Sequence, residues 1–337
     1  NKRGIVVDLK TAAGRELILD LAEHCDVVVE NFRKGVLQRL GLDYETLTAR
    51  RPDVILCSIS GFGANGPMSD RPSFDLVTQA LTGIMSVTGE PGRPPVKLGL
   101  PVGDQSGGLF GALGILAALQ ERSVTGKGQW IDVSMYDCVV SLLGYLAEIY
   151  FFSGESLGPV GSGHHSVVPY GAFECKHGRY VILALHTGAF YRKFCKLVGR
   201  EDLISDPRFH NTTERRKHRD ELNEIVGKIM HQKTVNEWLE ILEAGDIPSA
   251  PIRTVGEVLE DPHTLARRMV QTMRHPRAGN VSVLGRPIKF PLHEEPPLEP
   301  SPELGQHTSQ VLEELLGYSP QRVRELAQAG VIGLGEP

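Results

Sequence analysis

Aromatic side chains are scarce in this sequence, at 6% of 337 residues, whereas Gly (37) and Pro (22) are plentiful. With 41% hydrophobic and 23% charged residues, that balance excludes a coiled coil or a disordered chain. It fits an α/β enzyme with many Gly-built turns. Positive charge is not in excess: the formal net charge is −5, so no general attraction to nucleic acid or to an anionic membrane surface is expected. No uninterrupted apolar run approaches the ~18 residues of a membrane span. No signal peptide is visible, but the chain opens on Asn1-Lys2-Arg3 immediately ahead of a strand pattern, so a preceding segment is expected to be missing. The five cysteines (Cys25, Cys57, Cys138, Cys175, Cys195) are odd in number, widely spaced and free of any CxxC pair. Free thiols in a reducing compartment are the simplest reading: the cytoplasm or, if a transit segment is missing, the mitochondrial matrix. The histidines are scattered with no HxxxH or HExxH, so no metal site is expected. No Gly-x-Ser-x-Gly stands at a strand-to-helix elbow, which leaves a serine hydrolase without support.

What is present is a strand–helix rhythm. The chain is longer than one hydrophobic core usually spans, so two domains are expected. Ile5–Leu9, Asp26–Glu30 and Val54–Ser60 read as strands; Ala13–His24, Val36–Leu40 and Tyr44–Arg50 read as helices. This is the pattern of a parallel sheet with Rossmann-like winding. Residues 61–103 form a Gly- and Pro-rich loop region around a helix near Asp75–Met85, and such long loops inside a domain are often functional. An apolar helix is expected from about Gly107 to Arg122, then a strand at Trp130–Ser134 and a helix at Tyr136–Phe152. Beyond a second Gly-rich stretch come a hairpin (Tyr170–Cys175, Tyr180–Ala184) and charged helices at Gly188–Val198, Thr213–Gln232 and Val235–Ala244. Val281–Leu284 and Ile288–Phe290 read as strands, and His307–Leu316 and Pro320–Ala329 as helices. The expected organisation is a large Rossmann-like domain (1–153), a linker or closing loop (154–167), a smaller α+β domain (168–275) and a return to the large domain (276–337). The basic run Arg215-Arg216-Lys217-His218-Arg219 reads as an exposed helix face.

Several positions suggest chemistry. Asp104 stands between a loop and a helix whose first turns hold Ser106, Gly107 and Gly108. A carboxylate there faces the positive end of the helix dipole, and small neighbours let a bulky ligand approach. Such a carboxylate can attack an activated carbonyl such as a thioester; equally, Asp is a favoured N-cap residue. Glu30-Asn31-Phe32 closes a strand, where open parallel sheets bind ligands, and Arg39 follows. Ser58-Ile59-Ser60-Gly61-Phe62-Gly63 can cradle a pantetheine or phosphate through backbone N–H groups, but no acidic residue stands at the ribose-reading distance, so a dinucleotide is not favoured. Gly161-Ser162-Gly163-His164-His165 is either a loop that closes over a site with imidazole donors or a solvated linker.

Taken in order, these segments resemble the class III CoA-transferases of the CaiB/BaiF type, which include formyl-CoA transferase and enzymes of succinyl-CoA and small dicarboxylic acids. Asn1-Lys2-Arg3-Gly4-Ile5 through Asp8-Leu9-Lys10 is similar to that family's first strand. Glu30-Asn31-Phe32-Arg33-Lys34-Gly35 resembles E-N-F-x-P-G with Lys34 in place of the usual Pro. Ser58–Gly63 through Gly66-Pro67, Thr125-Gly126-Lys127-Gly128-Gln129, Asp132-Val133-Ser134, His275-Pro276, Gly285-Arg286-Pro287 and Leu304-Gly305-Gln306-His307-Thr308 complete the match. The resemblance implies a ring-shaped chain that forms an interlocked homodimer. It implies acyl-CoA and a carboxylic acid as substrates, with coenzyme A a substrate rather than a tightly bound cofactor. It also implies a catalytic Asp at Asp104 working through an aspartyl anhydride and an aspartyl-CoA thioester. Asn31, Phe32, Arg39, Leu40, Ser60, Gly61 and Phe62 fall where the family contacts CoA. Gly161, Gly163, His164 and His165 fall near its Gly-rich closing loop, without the run of consecutive glycines.

Two other functions compete. Acyl-CoA racemases of the same fold use a His and an Asp as acid and base; here Ser73-Phe74-Asp75 occupies the position of the His-bearing motif, and Phe74 cannot move a proton. A non-catalytic CoA-binding subunit need not retain Asp104 among its small neighbours.

Overall fold

The structure, a computed structural model, describes residues 1–335. It is an α/β fold with mixed sheets that divides into two compact units.

The first unit comprises Asn1–Ile84, Leu98–Glu148 and the chain from Leu265 onward. Its centre is a three-stranded parallel sheet, Val27–Glu30, Ile55–Ser60 and Trp130–Ser134, with Ile55–Ser60 in the middle. Residues alternate across the sheet. Leu56 faces one side, in a cluster with Leu19, Ala22, Leu42 and Leu47. Cys57 and Val133 face the other, with Cys138. The helix Ala12–Glu23 on the first face is capped by Thr11, whose hydroxyl accepts the Gly14 N–H at 3.0 Å. The helix Val102–Thr125 lies on the second face and ends at Gly126, which is left-handed at φ +69°. Its glycines make that contact possible: a Cβ on Gly111 would stand 3.0 Å from Ile59 Cδ1, and one on Gly114 3.0 Å from Ile131 Cγ2. By length and composition this helix is long and apolar enough to cross a membrane.

Four expectations for this unit need correction. The segment Ile5–Leu9 does not join the parallel sheet. Only Val6–Val7 is strand, and it pairs antiparallel with Ile332–Gly333, because Asp8 already turns the chain into the Thr11 cap by accepting the Thr11 N–H. A second cluster follows from that pairing, in which Leu17 and Leu21 pack with Val311, Leu312, Val331 and Ile332. The apolar helix starts at Val102 rather than Gly107, so Asp104 is in its first turn and Pro101 is the N-cap. The expected helix Tyr136–Phe152 is two, Met135–Ser141 and Tyr145–Ser153, broken where Gly144 takes φ +51°. Towards the C-terminus, Val270–His275 pairs with Gly279–Leu284, and no strand forms at Ile288–Phe290, which follows Pro287.

The second unit comprises Met85–Lys97 and Ile149–Thr264. It therefore takes a piece of chain expected in the larger domain, tied in by the Gly161 N–H donating to the Gly89 carbonyl at 2.8 Å. It leaves the hairpin from Val270 to the first unit. Its antiparallel sheet orders Tyr170–Glu174, Tyr180–Ala184 and Ser249–Pro251. The core gathers Leu183, Tyr191, Phe194, Leu222 and Trp238. The expected helix Thr213–Gln232 is broken at His218 into Thr212–Lys217 and Arg219–Met230. The basic run is exposed only in part: Arg216 and Lys217 face solvent, but Arg215 is only 3% exposed. Its guanidinium donates to the carbonyls of Val168 (2.9 Å) and Phe209 (3.0 Å) and to Thr212 Oγ1 (3.1 Å), and lies 4.3 Å from the Tyr191 ring centroid.

Candidate active site

Within the first unit, the carboxyl ends of the parallel strands and the start of the long helix come together. Gly61 follows the central strand and packs so tightly on the next loop that a Cβ would stand 2.4 Å from Ser73 Cβ. Two residues on, Asp75 opens a short helix, Asp75–Leu81. Asp75 Oδ1 accepts the Gly103 N–H at 2.7 Å, and Oδ2 accepts from the Gln79 amide at 2.6 Å. The buried Gln79 in turn accepts the Leu98 N–H at 2.9 Å and donates to the Leu100 carbonyl at 3.3 Å. One turn of helix thus fixes the chain from Leu98 to Gly103, the residue before Asp104. The Asp104 side chain is exposed at a helix N-terminus, where backbone N–H groups favour an anion. Gly107 beside it is filled from behind by Met135 and Ile59. Asp75 and Gln79 were missed as site residues by the sequence reading; the i, i+4 spacing of an acid and an amide at a helix start was the available signal.

The other expected residues of this unit are distributed along the strand ends. The Asn31 amide donates to the Ile59 carbonyl, and the Phe32 N–H donates to Glu30 Oε2 at 2.7 Å. Phe32 and Ser60 line a cleft of about 260 Å³ with Arg33, Lys34, Tyr44 and Trp130. Ser60 Oγ accepts the Gly63 N–H at 3.0 Å. Phe62 is buried against Tyr136, with ring centroids 6.2 Å apart. Arg39 is exposed on the helix Val36–Leu40, and Leu40 packs into the cluster beneath it; neither lines the cleft. Gly61-Phe62-Gly63-Ala64-Asn65-Gly66 has the spacing of a GxGxxG motif, but no helix follows before Asp75. A phosphate held there would lack the helix N-terminus on which the dinucleotide fingerprint depends.

Within the second unit, Gly161 (φ +61°) and Gly163 lead into two imidazoles. His164 Nδ1 accepts the Ser166 N–H at 3.1 Å, and its ring meets Tyr170 edge-on at 5.5 Å. Burial, then the charges of His165, His186 and Arg219, hold the His164 imidazole below its ordinary titration range. His165 Nε2 stands 2.9 Å from the Gly158 carbonyl, and Arg219 donates to the His165 carbonyl at 2.9 Å. The loop is therefore pinned at both imidazoles rather than a solvated tether. Among the described residues no group of three or more His, Cys, Asp or Glu side chains is arranged to hold a metal.

Known proteins place this architecture. The family model described as CoA-transferase family III matches residues 1–308. The chain is 37% identical over 334 residues to an acyl-CoA transferase of Fusarium pseudograminearum, covering 98% of this chain and 73% of that protein. It is 33% identical over 332 residues to the succinyl-CoA:glutarate CoA-transferase of Homo sapiens, covering 98% and 76% respectively. A crystal structure of a CaiB/BaiF family protein from Brucella suis superposes with a TM-score of 0.81 at 37% identity, covering 93% of this chain and 82% of that one. The sheet, the helix that carries Asp104 and the ordered motifs along the chain thus agree with one assignment: the chain belongs to CoA-transferase family III, and it is a CoA-transferase.

Proposed function

We propose that this enzyme moves coenzyme A from an acyl-CoA to a free carboxylic acid with Asp104 as the nucleophile. The observation that carries the reading is an exposed carboxylate in the first turn of a helix, on backbone that Asp75 and Gln79 hold in place. An Asp104 oxygen attacks the thioester carbonyl, the C–S bond breaks, and an aspartyl mixed anhydride and CoA thiolate result. The thiolate attacks the Asp104 carbonyl, giving an aspartyl-CoA thioester and releasing the first acid as its carboxylate. The incoming carboxylate then attacks that thioester, and the expelled thiolate takes the new acyl group and restores Asp104. Asn31, Phe32, Arg39, Leu40 and Ser60–Phe62 are the residues proposed to contact CoA, and Gly161–His165 forms the closing loop. The human relative's name points to succinyl-CoA and a dicarboxylic acid as the first substrates to try. Phe74 is 75% exposed and carries no proton, which disfavours racemisation at this site.

We further propose that the active form is an interlocked homodimer. Leu109, Leu113 and Leu116 form one stripe on the Asp104 helix and are 69%, 61% and 64% exposed, more apolar surface than an isolated helix face keeps in water. Five free cysteines, four of them buried, favour the cytoplasm or the mitochondrial matrix.

Asp104→Ala is expected to abolish transfer while leaving the fold intact. Hydroxylamine added with acyl-CoA should modify Asp104, read by peptide mass. Full turnover by the variant, or trapping at another residue, would falsify the mechanism.

A further inference from the structure

We propose that Lys34 reads the 3′-phosphate of coenzyme A, an inference that rests on the reading of the strand ends as the CoA site. The cleft beside Ser60 is walled by Phe32, Tyr44 and Trp130, aromatic surface suited to a purine ring. Its volume of about 260 Å³ is below the range usual for a whole ligand, so it fits one end of CoA rather than all of it. A base seated there carries its ribose, and hence the 3′-phosphate, at the rim. Three of the acidic residues lining the cleft already serve backbone N–H groups. Glu30 accepts from Phe32 at 2.7 Å, Asp43 from Thr46 at 2.9 Å and Asp132 from Ala64 at 2.9 Å. Lys34 differs from them in being exchangeable. Its Nζ donates to Ser69 Oγ at 2.7 Å and stands 3.7 Å from Asp70 Oδ1. The Lys34 and Asp70 side chains are 40% and 87% exposed. Such a surface pair contributes little, and a phosphate dianion displaces the carboxylate readily. A compact ammonium on a flexible stem suits that exchange.

Calorimetric titration of the full chain with adenosine 3′,5′-bisphosphate and with adenosine 5′-monophosphate tests this without turnover. The wild type is expected to prefer the bisphosphate by about tenfold or more, the scale of one charge-assisted contact. Lys34→Met should bring the ratio close to one. Asp70→Asn and Ser69→Ala, which break the same loop-to-loop tie, should keep the preference. Loss of the preference in those two variants would assign Lys34 a structural role and overturn the proposal. So would its loss in Arg33→Met but not in Lys34→Met, or equal affinity of the wild type for both nucleotides. A preference that persists in a protein unable to transfer CoA would uphold Lys34 and sink the catalytic reading instead.

Discussion

Asp75 spends both carboxylate oxygens on positioning: one on the Gly103 N–H, one on Gln79. Asp75→Ala removes the acceptor that fixes the residue before Asp104 without touching the nucleophile itself. We expect kcat to fall by about 10- to 100-fold, the cost of misplacing a reacting group by a fraction of an ångström to an ångström. The KM for acyl-CoA should change little and the far-UV circular dichroism not at all; an unchanged kcat would remove Asp75 from the site. This residue also shows where sequence reading stops. Asp104 was singled out by its small neighbours together with the order of motifs along the chain, although its helix starts earlier than expected. Asp75 was noted only because Phe74 beside it lacks a proton to transfer, since a hydrogen bond between residues 28 positions apart leaves no periodic trace. Arg215 was misplaced for a related reason. Five consecutive basic side chains read as a solvated face, and nothing in that run shows that one of them satisfies carbonyls in the core.

Helices and strands were mostly legible, because their apolar periods and caps are local. Val36–Leu40, Tyr44–Arg50, Trp130–Ser134 and Val235–Ala244 fall where the sequence puts them. Failures gather where a distant partner decides. Val6–Val7 pairs with a strand more than 300 residues on, and Val102 begins a helix because Gly103 is capped from another element. Glycines within helices separate local preference from tertiary demand in the same way. Gly227, inside Arg219–Met230, has nothing within 4 Å of an added Cβ, so Gly227→Ala should stabilise by about 0.5–1 kcal/mol. Gly111 lies against Ile59, and Gly111→Val should cost about 1–3 kcal/mol through overpacking despite the same backbone gain. Urea denaturation of both variants checks the signs; two shifts in the same direction would contradict the packing described for the long helix.

At the scale of the whole molecule, association and pH response follow from surface and burial. Placing a charge in the leucine stripe, as in Leu113→Asp, should shift the solution mass from twice 36.9 kDa towards the single chain or into aggregate, read by light scattering. A wild type that is monomeric at micromolar concentration would remove the dimer from the proposal. His164 sets a second response. Its imidazole titrates below the ordinary 6.5 in the folded state, chiefly through burial. The unfolded chain therefore takes up a proton first as pH falls, and stability is lost below about 6.5. The surrounding His165, His186 and Arg219 charges act in the same direction. Protection at the Gly161 and Ala172 amides, measured against the intrinsic exchange rate at each pH, should fall between pH 7.5 and about 5.5, and His164→Gln should flatten that dependence.

Leu17 and Leu21 bury their side chains against Val311, Leu312, Val331 and Ile332. On the ribosome, that partner surface follows the first helix by roughly tens of seconds at ordinary elongation rates. For that interval one face of the first helix has no native cover, so the nascent chain offers holdase chaperones a long-lived apolar target. A chain halted before Val311 should remain chaperone-bound or precipitate, however well its second unit has folded.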